Sequence, residues 1–241
     1  MLSDGLTGST MTQVLIGHRY LLLSPLGRGS MGAVYKARDR LTGQMVALKR
    51  VEISLTDSER LSTQTLDEPA TASLQTASAA RASPSGRSTN SEVSQLYRLA
   101  LAWEFQVLSS LRHPHIVSVL DYGFWEGQPY FTMELLPSSQ TLFDAGRSRS
   151  TAAKIQLLAQ VLLALSYIHR RSVLHRDLKP SNVLCVGDCV KVVDFGVATA
   201  IGNAYNIAGT LEYMAPEVLL GEKPSPAADL YSFGEIGRAS C

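Results

Sequence analysis

Residues Gly27 to Gly32 read GRGSMG. Glycines at this spacing can turn backbone N–H groups toward a phosphate, or can simply make a turn, and the pattern by itself does not decide. The flanks narrow the choice. HRYLLLSPL before it is short and apolar, and AVYKA after it carries Val34 and Tyr35, which favour a strand. A dinucleotide-binding turn needs a helix after its glycines, and a Walker loop ends in Gly-Lys-Ser/Thr, whereas Gly32 is followed by Ala33. What remains is a strand–loop–strand hairpin, its turn stripped of side chains so that N–H groups can lie over phosphates. Such a loop carries little charge. A cation to grip the phosphates and ligands for a metal must come from elsewhere in the chain.

The bulk composition sets limits on that search. The 241 residues include 22 basic and 21 acidic side chains, for a net charge of +1. That balance argues against a nucleic-acid or membrane-surface binder driven by charge. The start MLSDGLTGST has no basic region followed by an apolar one, so no signal peptide is expected. No uninterrupted apolar run approaches the roughly 18 residues of a membrane span. Three cysteines make no disulfide framework, and a reduced, cytoplasmic setting is the expectation. Cys185 and Cys189, in LCVGDCV, are expected on the two strands of a hairpin turning at Gly187-Asp188.

The elements that must position any chemistry follow from periodicity. Residues 1–17 read as a flexible leader, and short strand patterns recur from His18 to about Val51. Residues 55–93 are rich in Ser, Thr and Ala with few large apolar side chains, so a disordered surface insertion is expected there. Leu96, Leu99, Leu101, Phe105, Leu108 and Leu111 fall near helical spacing, ended by His113-Pro114. Two strands should flank the turn Glu126-Gly127, and Pro137-Ser138 opens a linker. TAAKIQLLAQVLLALSYIHRR then reads as a long helix with Ile155, Leu158, Leu162, Leu165 and Ile168 on one face. Arg170 and Arg171 sit at the negative end of its dipole.

Downstream, His175 to Asn182 read HRDLKPSN and Asp194 to Gly196 read DFG. Together with GRGSMGAV, VALK (Val46 to Lys49) and APE (Ala215 to Glu217), these resemble the signature set of the eukaryotic-like serine/threonine protein kinases, in the expected order. The resemblance runs from about Tyr20 to Gly234, interrupted by the insertion. It implies an α+β, two-lobed fold: an antiparallel-sheet N-lobe with one helix over residues 18–136, and a mainly helical C-lobe over 137–234. It implies ATP and Mg²⁺ as cofactors and a protein hydroxyl as acceptor. Lys179, in DLKPSN, resembles the serine/threonine branch more than the tyrosine branch. GSMGAVYKARDRLTG resembles the prokaryotic branch, whose members often head larger signalling proteins.

Phosphoryl transfer leaves the enzyme little covalent chemistry, so its work is positioning and neutralising phosphate charge. In the family's terms Lys49 is the cation on a strand. Its counter-charge is Glu104, nine residues before His113-Pro114; Glu92 and Asp67, in or beside the insertion, are poor rivals. Asp194 and Asn182 are the expected metal ligands, Asp177 the base that accepts or orients the substrate hydroxyl proton, and Lys179 the group that steadies the transferring phosphate. Leu26, Gly27, Gly29 and Gly32 would cover the nucleotide. Val34, Ala47 and Leu184 would sandwich adenine, with Met133 behind it and the backbone of Glu134 to Leu136 along its edge. His175 is expected to pack behind Phe195, in a column with Leu108 and Val119. Thr210 should touch the catalytic loop, and Asp229 should bind back to it.

Two departures bear on function. Asn206 stands where the family often carries a phosphorylated threonine, so activity is expected not to depend on a phosphate there. The chain closes on EIGRASC, which back-translates to most of a common sequencing adapter. Residues 235–241 are therefore expected to be non-native and the second lobe incomplete. A nucleotide-binding pseudokinase or scaffold fragment, inactive through truncation, is the alternative, and a small-molecule phosphotransferase a third; GTLEYMAPE favours a peptide acceptor over the latter.

Overall fold

A computed structural model describes residues 14–29, 32–51, 105–195 and 210–240. The leader through Gln13, the insertion, Glu104 and the segment carrying Thr199, Tyr205 and Asn206 lie outside the described residues. Contacts divide the chain into two compact units: residues 1–52 with 120–135, and residues 53–119 with 136–241.

The first unit is built on a sheet of β1 (Leu15–Ile16), β2 (Tyr20–Gly29), β3 (Gly32–Asp39), β4 (Met45–Val51), β5 (Val119–Trp125) and β6 (Gln128–Glu134), in the order β1-β2-β3-β4-β6-β5. The glycine-rich stretch forms the β2–β3 hairpin, with Gly29 opposite Gly32. Two register shifts in β2 skip Leu23 and Leu26, on either side of Ser24 and Pro25, and bend the strand there. The β5–β6 turn places both Glu126 (φ 50°) and Gly127 (φ 76°) in the left-handed region, as a two-residue hairpin turn demands. Ile16, Tyr20, Ala37, Val46, Leu48 and Tyr130 form the core on one face of this sheet.

A polar clamp ties three strands of the unit. Arg19 donates through Nε and Nη2 to the two carboxylate oxygens of Asp39 (2.8 and 2.7 Å) and through Nη1 to Asp121 Oδ2 (2.7 Å). The Tyr20 hydroxyl donates to the same Asp121 oxygen at 2.8 Å. Arg19's hydrogen bonds hold the Asp39 carboxyl well below the usual carboxylate range, outweighing the opposing effect of burial. A depressed carboxylate stabilises the fold above its unfolded pKa and ceases to do so as pH falls. Asp39→Asn breaks a bidentate pair whose carboxylate is buried, and should cost about 3 kcal/mol in urea denaturation at pH 7. The difference from the unsubstituted protein should shrink as pH falls below about 4.

The second unit contains β7 (Gln140–Thr141), β8 (Val183–Val186) and β9 (Cys189–Val192), paired in that order, with helices α1 (Leu142–Gly146), α2 (Thr151–His169), α3 (Pro216–Leu219) and α4 (Pro226–Ser240). Residues 105–110 are also helical. Ser150 caps α2, its hydroxyl accepting from Ala153 N. The face α2 buries is Leu157, Val161, Ala164, Leu165 and Ile168. The expected stripe is therefore rotated: Ile155 is 58% and Leu162 40% exposed. This helix is apolar almost all round, so spacing alone offers more than one plausible stripe and packing selects among them. By length and composition α2 could also cross a bilayer, a test that core helices pass as well. Residues 235–240 continue α4, with Ile236 fully buried.

The β8–β9 hairpin turns at Gly187 (φ 59°) and Asp188. Cys185 lies opposite Val190 and Cys189 opposite Val186, so the two thiols point to opposite faces. Burial pushes the Cys185 thiol up to about 11, which leaves it an inert core group.

Candidate active site

The loop from His175 to Asn182 joins α2 to β8, and its shape is set by one buried carboxylate. Asp229, in the first turn of α4, is 3% exposed. Its Oδ2 accepts from His175 N (2.9 Å) and its Oδ1 from Arg176 N (2.9 Å). His169 Nε2, at the end of α2, lies 2.8 Å from Oδ2. These bonds fix Arg176 at φ 67°, a conformation that costs a non-glycine residue free energy. The expected return contact of Asp229 is present. His169 is a partner that sequence reasoning missed, and nothing beyond its place at a helix end marks it.

The strained turn at Arg176 delivers Asp177 into a compact polar network. Lys179 Nζ lies 2.9 Å from Asp177 Oδ2, and Asn182 Nδ2 donates to the same oxygen at 3.1 Å and to the Asp177 carbonyl at 2.8 Å. Thr210 N approaches Asp177 Oδ1 at 3.3 Å, and Lys179 Nζ also donates to Thr210 Oγ1 at 3.0 Å. Asp177 and Asn182 are buried, and Lys179 is largely so. Thr210 contacts the catalytic loop as its sequence context implied.

Asp194 follows β9 and has φ 55°, a second left-handed non-glycine residue at the site. Val193 anchors this corner: its N–H donates to Asn182 O (2.9 Å), and its carbonyl lies 3.0 Å from His175 Nε2. His175 is fully buried, its ring centroid 4.9 Å from that of Phe195. With Nε2–H donating to Val193 O, the Nδ1 lone pair has no partner among the described residues. Burial drives the imidazole pKa below its ordinary value despite the attraction of Asp229, Asp177 and Asp194. A buried neutral base stabilises the fold fully above its unfolded pKa and progressively less as pH drops below about 6.5. The melting temperature should therefore fall on acidification through that range, and the fall should be smaller in His175→Phe. Leu108 and Val119 are also buried.

The donor set fits a hard cation. Asn182 spends its amide N–H groups on Asp177, which leaves its carbonyl oxygen as the atom of that side chain suited to a cation. Among the described residues no cluster of three or more His, Cys, Asp and Glu could hold a metal. A cation here would complete its shell with phosphate oxygens and water, the habit of Mg²⁺.

In the first unit, register places another group of candidates on one sheet face. Lys49 lies opposite Val34 on β3 and Phe131 on β6, and Ala47 lies opposite Met133. Directly opposed and alternate residues share a face, so Val34, Ala47, Lys49 and Met133 are neighbours there. Lys49 is 8% exposed, with Nζ 6.0 Å from the Phe131 centroid. Gly27 is opposite Val34, Leu26, skipped at the second register shift, is half exposed, and Glu134 pairs with Val46. Leu136 and Leu184 are half-buried residues of the second unit.

A strand pair turning on glycines, a lysine beneath it, and a carboxylate held by lysine, asparagine and threonine invite comparison with known phosphotransferases. The family model described as the protein kinase domain matches residues 87–237. A cell division control protein 2 homologue of Trypanosoma brucei brucei is 34% identical over 226 residues, covering 90% of this chain and 61% of that protein. A probable serine/threonine-protein kinase of Streptomyces coelicolor is 31% identical over 233 residues, 91% of this chain and 29% of that protein. The chain thus spans less than two thirds of the length of either relative. With the α+β architecture, the loop geometry and this match in agreement, the chain belongs to the protein kinase domain family.

Proposed function

We propose that this chain is an ATP-dependent serine/threonine protein kinase domain, transferring the γ-phosphate of ATP to protein hydroxyls. The single observation that carries the reading is the Asp177 carboxylate held between Lys179, Asn182 and Thr210 N. A carboxylate fixed in this way can accept a hydrogen bond from an incoming hydroxyl and orient its lone pair, with little reorganisation during reaction. Lys179, bridging Asp177 and Thr210, would place positive charge beside the transferring phosphoryl group. Asn182 and Asp194 would hold Mg²⁺, which when bound neutralises phosphate charge. On the first unit, Lys49 would grip the phosphates, with Glu104 as its counter-charge. The family resemblance assigns Gly27, Gly29, Gly32 and Leu26 to covering the nucleotide, Val34, Ala47, Met133 and Leu184 to adenine, and the backbone of Glu134 to Leu136 to its edge.

Support for a Ser/Thr acceptor comes from the Lys179–Thr210 hydrogen bond and from the name of the Streptomyces coelicolor relative, a probable serine/threonine-protein kinase. The test is transfer of radiolabel from γ-labelled ATP to a generic basic protein, with Asp177→Asn as control. Label on serine and threonine that disappears in the control supports the reading; ATP binding without any transfer supports a pseudokinase. A further expectation concerns Thr210→Ala. It removes the hydroxyl partner of Lys179 and should lower kcat about tenfold while leaving KM for ATP nearly unchanged.

A further inference from the structure

The β8–β9 hairpin opens onto the residues proposed to hold metal. β8 begins directly after Asn182, β9 ends two residues before Asp194, and Val183 pairs with Val192. Val193 N donates to Asn182 O at 2.9 Å, so the ladder continues to the edge of the site. Its two strands have four residues each, and β7, on the far side of β8, has two. So small a sheet holds no fixed position by itself. What holds β9 lies along its outer edge.

Backbone polar groups of alternate residues leave a strand on the same side. On the side of β9 away from β8, the groups from Asp188 O to Val192 O are all partnered. Asp188 O accepts from Gln160 Nε2 at 2.8 Å, and Val190 N donates to Gln160 Oε1 at 2.8 Å. His115 Nδ1 lies 3.2 Å from Val190 O. Val192 N donates to His115 O at 2.9 Å, and Val117 N to Val192 O at 3.0 Å. The Gln160 amide thus stands where a neighbouring strand would. Lysine and arginine offer only donors and an ionised glutamate only acceptors, so the bracket needs an amide. Gln160 belongs to α2, whose last residue, His169, meets the Asp229 carboxylate that shapes the loop entering Asp177. One helix therefore holds both the hairpin and the catalytic loop.

We propose that Gln160 is a positioning residue for metal-dependent phosphoryl transfer, its amide fixing β9 on α2 so that Asp194 is held in place against Asn182 and Asp177. Gln160 touches no reacting atom. It acts through the backbone of β9, which runs from the bracketed Val190 to Val193 and its bond with Asn182. The inference rests on the kinase reading for what Asp194 does, and on the hydrogen bonds alone for how it is held. Arg149 offers a contrast within the same hairpin. It bonds the Asp188 carboxylate and, at 2.8 Å, the Gly187 carbonyl, so it grips the turn and leaves the outer edge of β9 untouched. Groups that orient metal ligands typically contribute about 10- to 100-fold to metal affinity or rate, which a brace on the turn does not.

The test compares Gln160→Met, which keeps the side chain's length without its donor and acceptor, with Arg149→Met, both in the full chain. Amide hydrogen exchange is read first, in the metal-free protein. Gln160→Met should speed exchange at Val190 and also, about fivefold or more, at Val193. Arg149→Met should leave Val193 within about twofold of the native rate. Mn²⁺ binding, followed by electron paramagnetic resonance with a non-hydrolysable ATP analogue, should weaken about tenfold in Gln160→Met and hardly at all in Arg149→Met. The Mg²⁺ concentration for half-maximal transfer should rise in step, with KM for the acceptor protein unchanged. Faster exchange confined to Val190, or an equal loss of Mn²⁺ affinity in both variants, would reduce Gln160 to a stabilising contact and overturn the proposal. Exchange at Val193 needs neither metal nor turnover. A native chain that transfers no phosphate therefore counts against the kinase reading, while Val193 still decides how Asp194 is held.

Discussion

Asp177→Asn should reduce kcat about a thousandfold while changing the affinity for ATP less than threefold. The amide keeps the shape of the side chain but cannot take up a proton, and loss of a positioned base typically lowers rates by about 10² to 10⁴. The geometry adds to this. The carboxylate sits among three donors: Lys179 Nζ, Asn182 Nδ2 and Thr210 N. An amide offers them one oxygen, and its own NH₂ must turn toward at least one of those donors. Position and charge are then lost together. The nucleotide contacts assigned to Lys49, the glycines and Asp194 are untouched, so the effect should fall on kcat. Steady-state kinetics with a separate measurement of ATP binding checks both halves, and residual activity within tenfold of the unsubstituted protein would remove Asp177 from the proposed role.

The second large effect is expected at a residue that need not touch substrate. Asp229→Ala leaves the N–H groups of His175 and Arg176 and the ring of His169 without the acceptor they share, in a region where water has little access. Stranding buried donors in this number should cost about 3–5 kcal/mol. It also removes what keeps Arg176 at φ 67°. If that residue relaxes toward an ordinary conformation, the chain direction entering Asp177 changes, and a displacement of about 1 Å can cost some hundredfold in rate. Asp229→Asn, which retains one acceptor oxygen, should lie between Ala and the native residue in both melting temperature and kcat. A stability loss without a kcat change in the Asn variant would show that Asp229 holds the unit together without positioning Asp177.

Much of the second site was legible because its residues are close in the chain. Asp177, Lys179 and Asn182 fall within HRDLKPSN, and a short loop brings neighbours together whatever surrounds it. The hairpins were legible for a similar reason, since Glu126-Gly127 and Gly187-Asp188 announce tight turns through local backbone preference. Long-range partners were less accessible. Asp229 and Thr210 were anticipated only through family resemblance, and His169 was not anticipated. The clamp of Arg19, Asp39 and Asp121 joins residues up to 102 positions apart, and nothing local marks it.

The amino-acid sequence by itself determined the family, the alternation that builds the sheet, the turns between strands and the identity of the polar groups in the catalytic loop. Each of these depends on residue type and on spacing within a few positions. Tertiary structure alone decided which face α2 buries, which donors share the carboxylate of Asp229, and which carboxylates Arg19 clamps. Those outcomes turn on where distant segments pack. A helix apolar on nearly every side, or an arginine able to pair with any carboxylate, carries no local preference strong enough to choose.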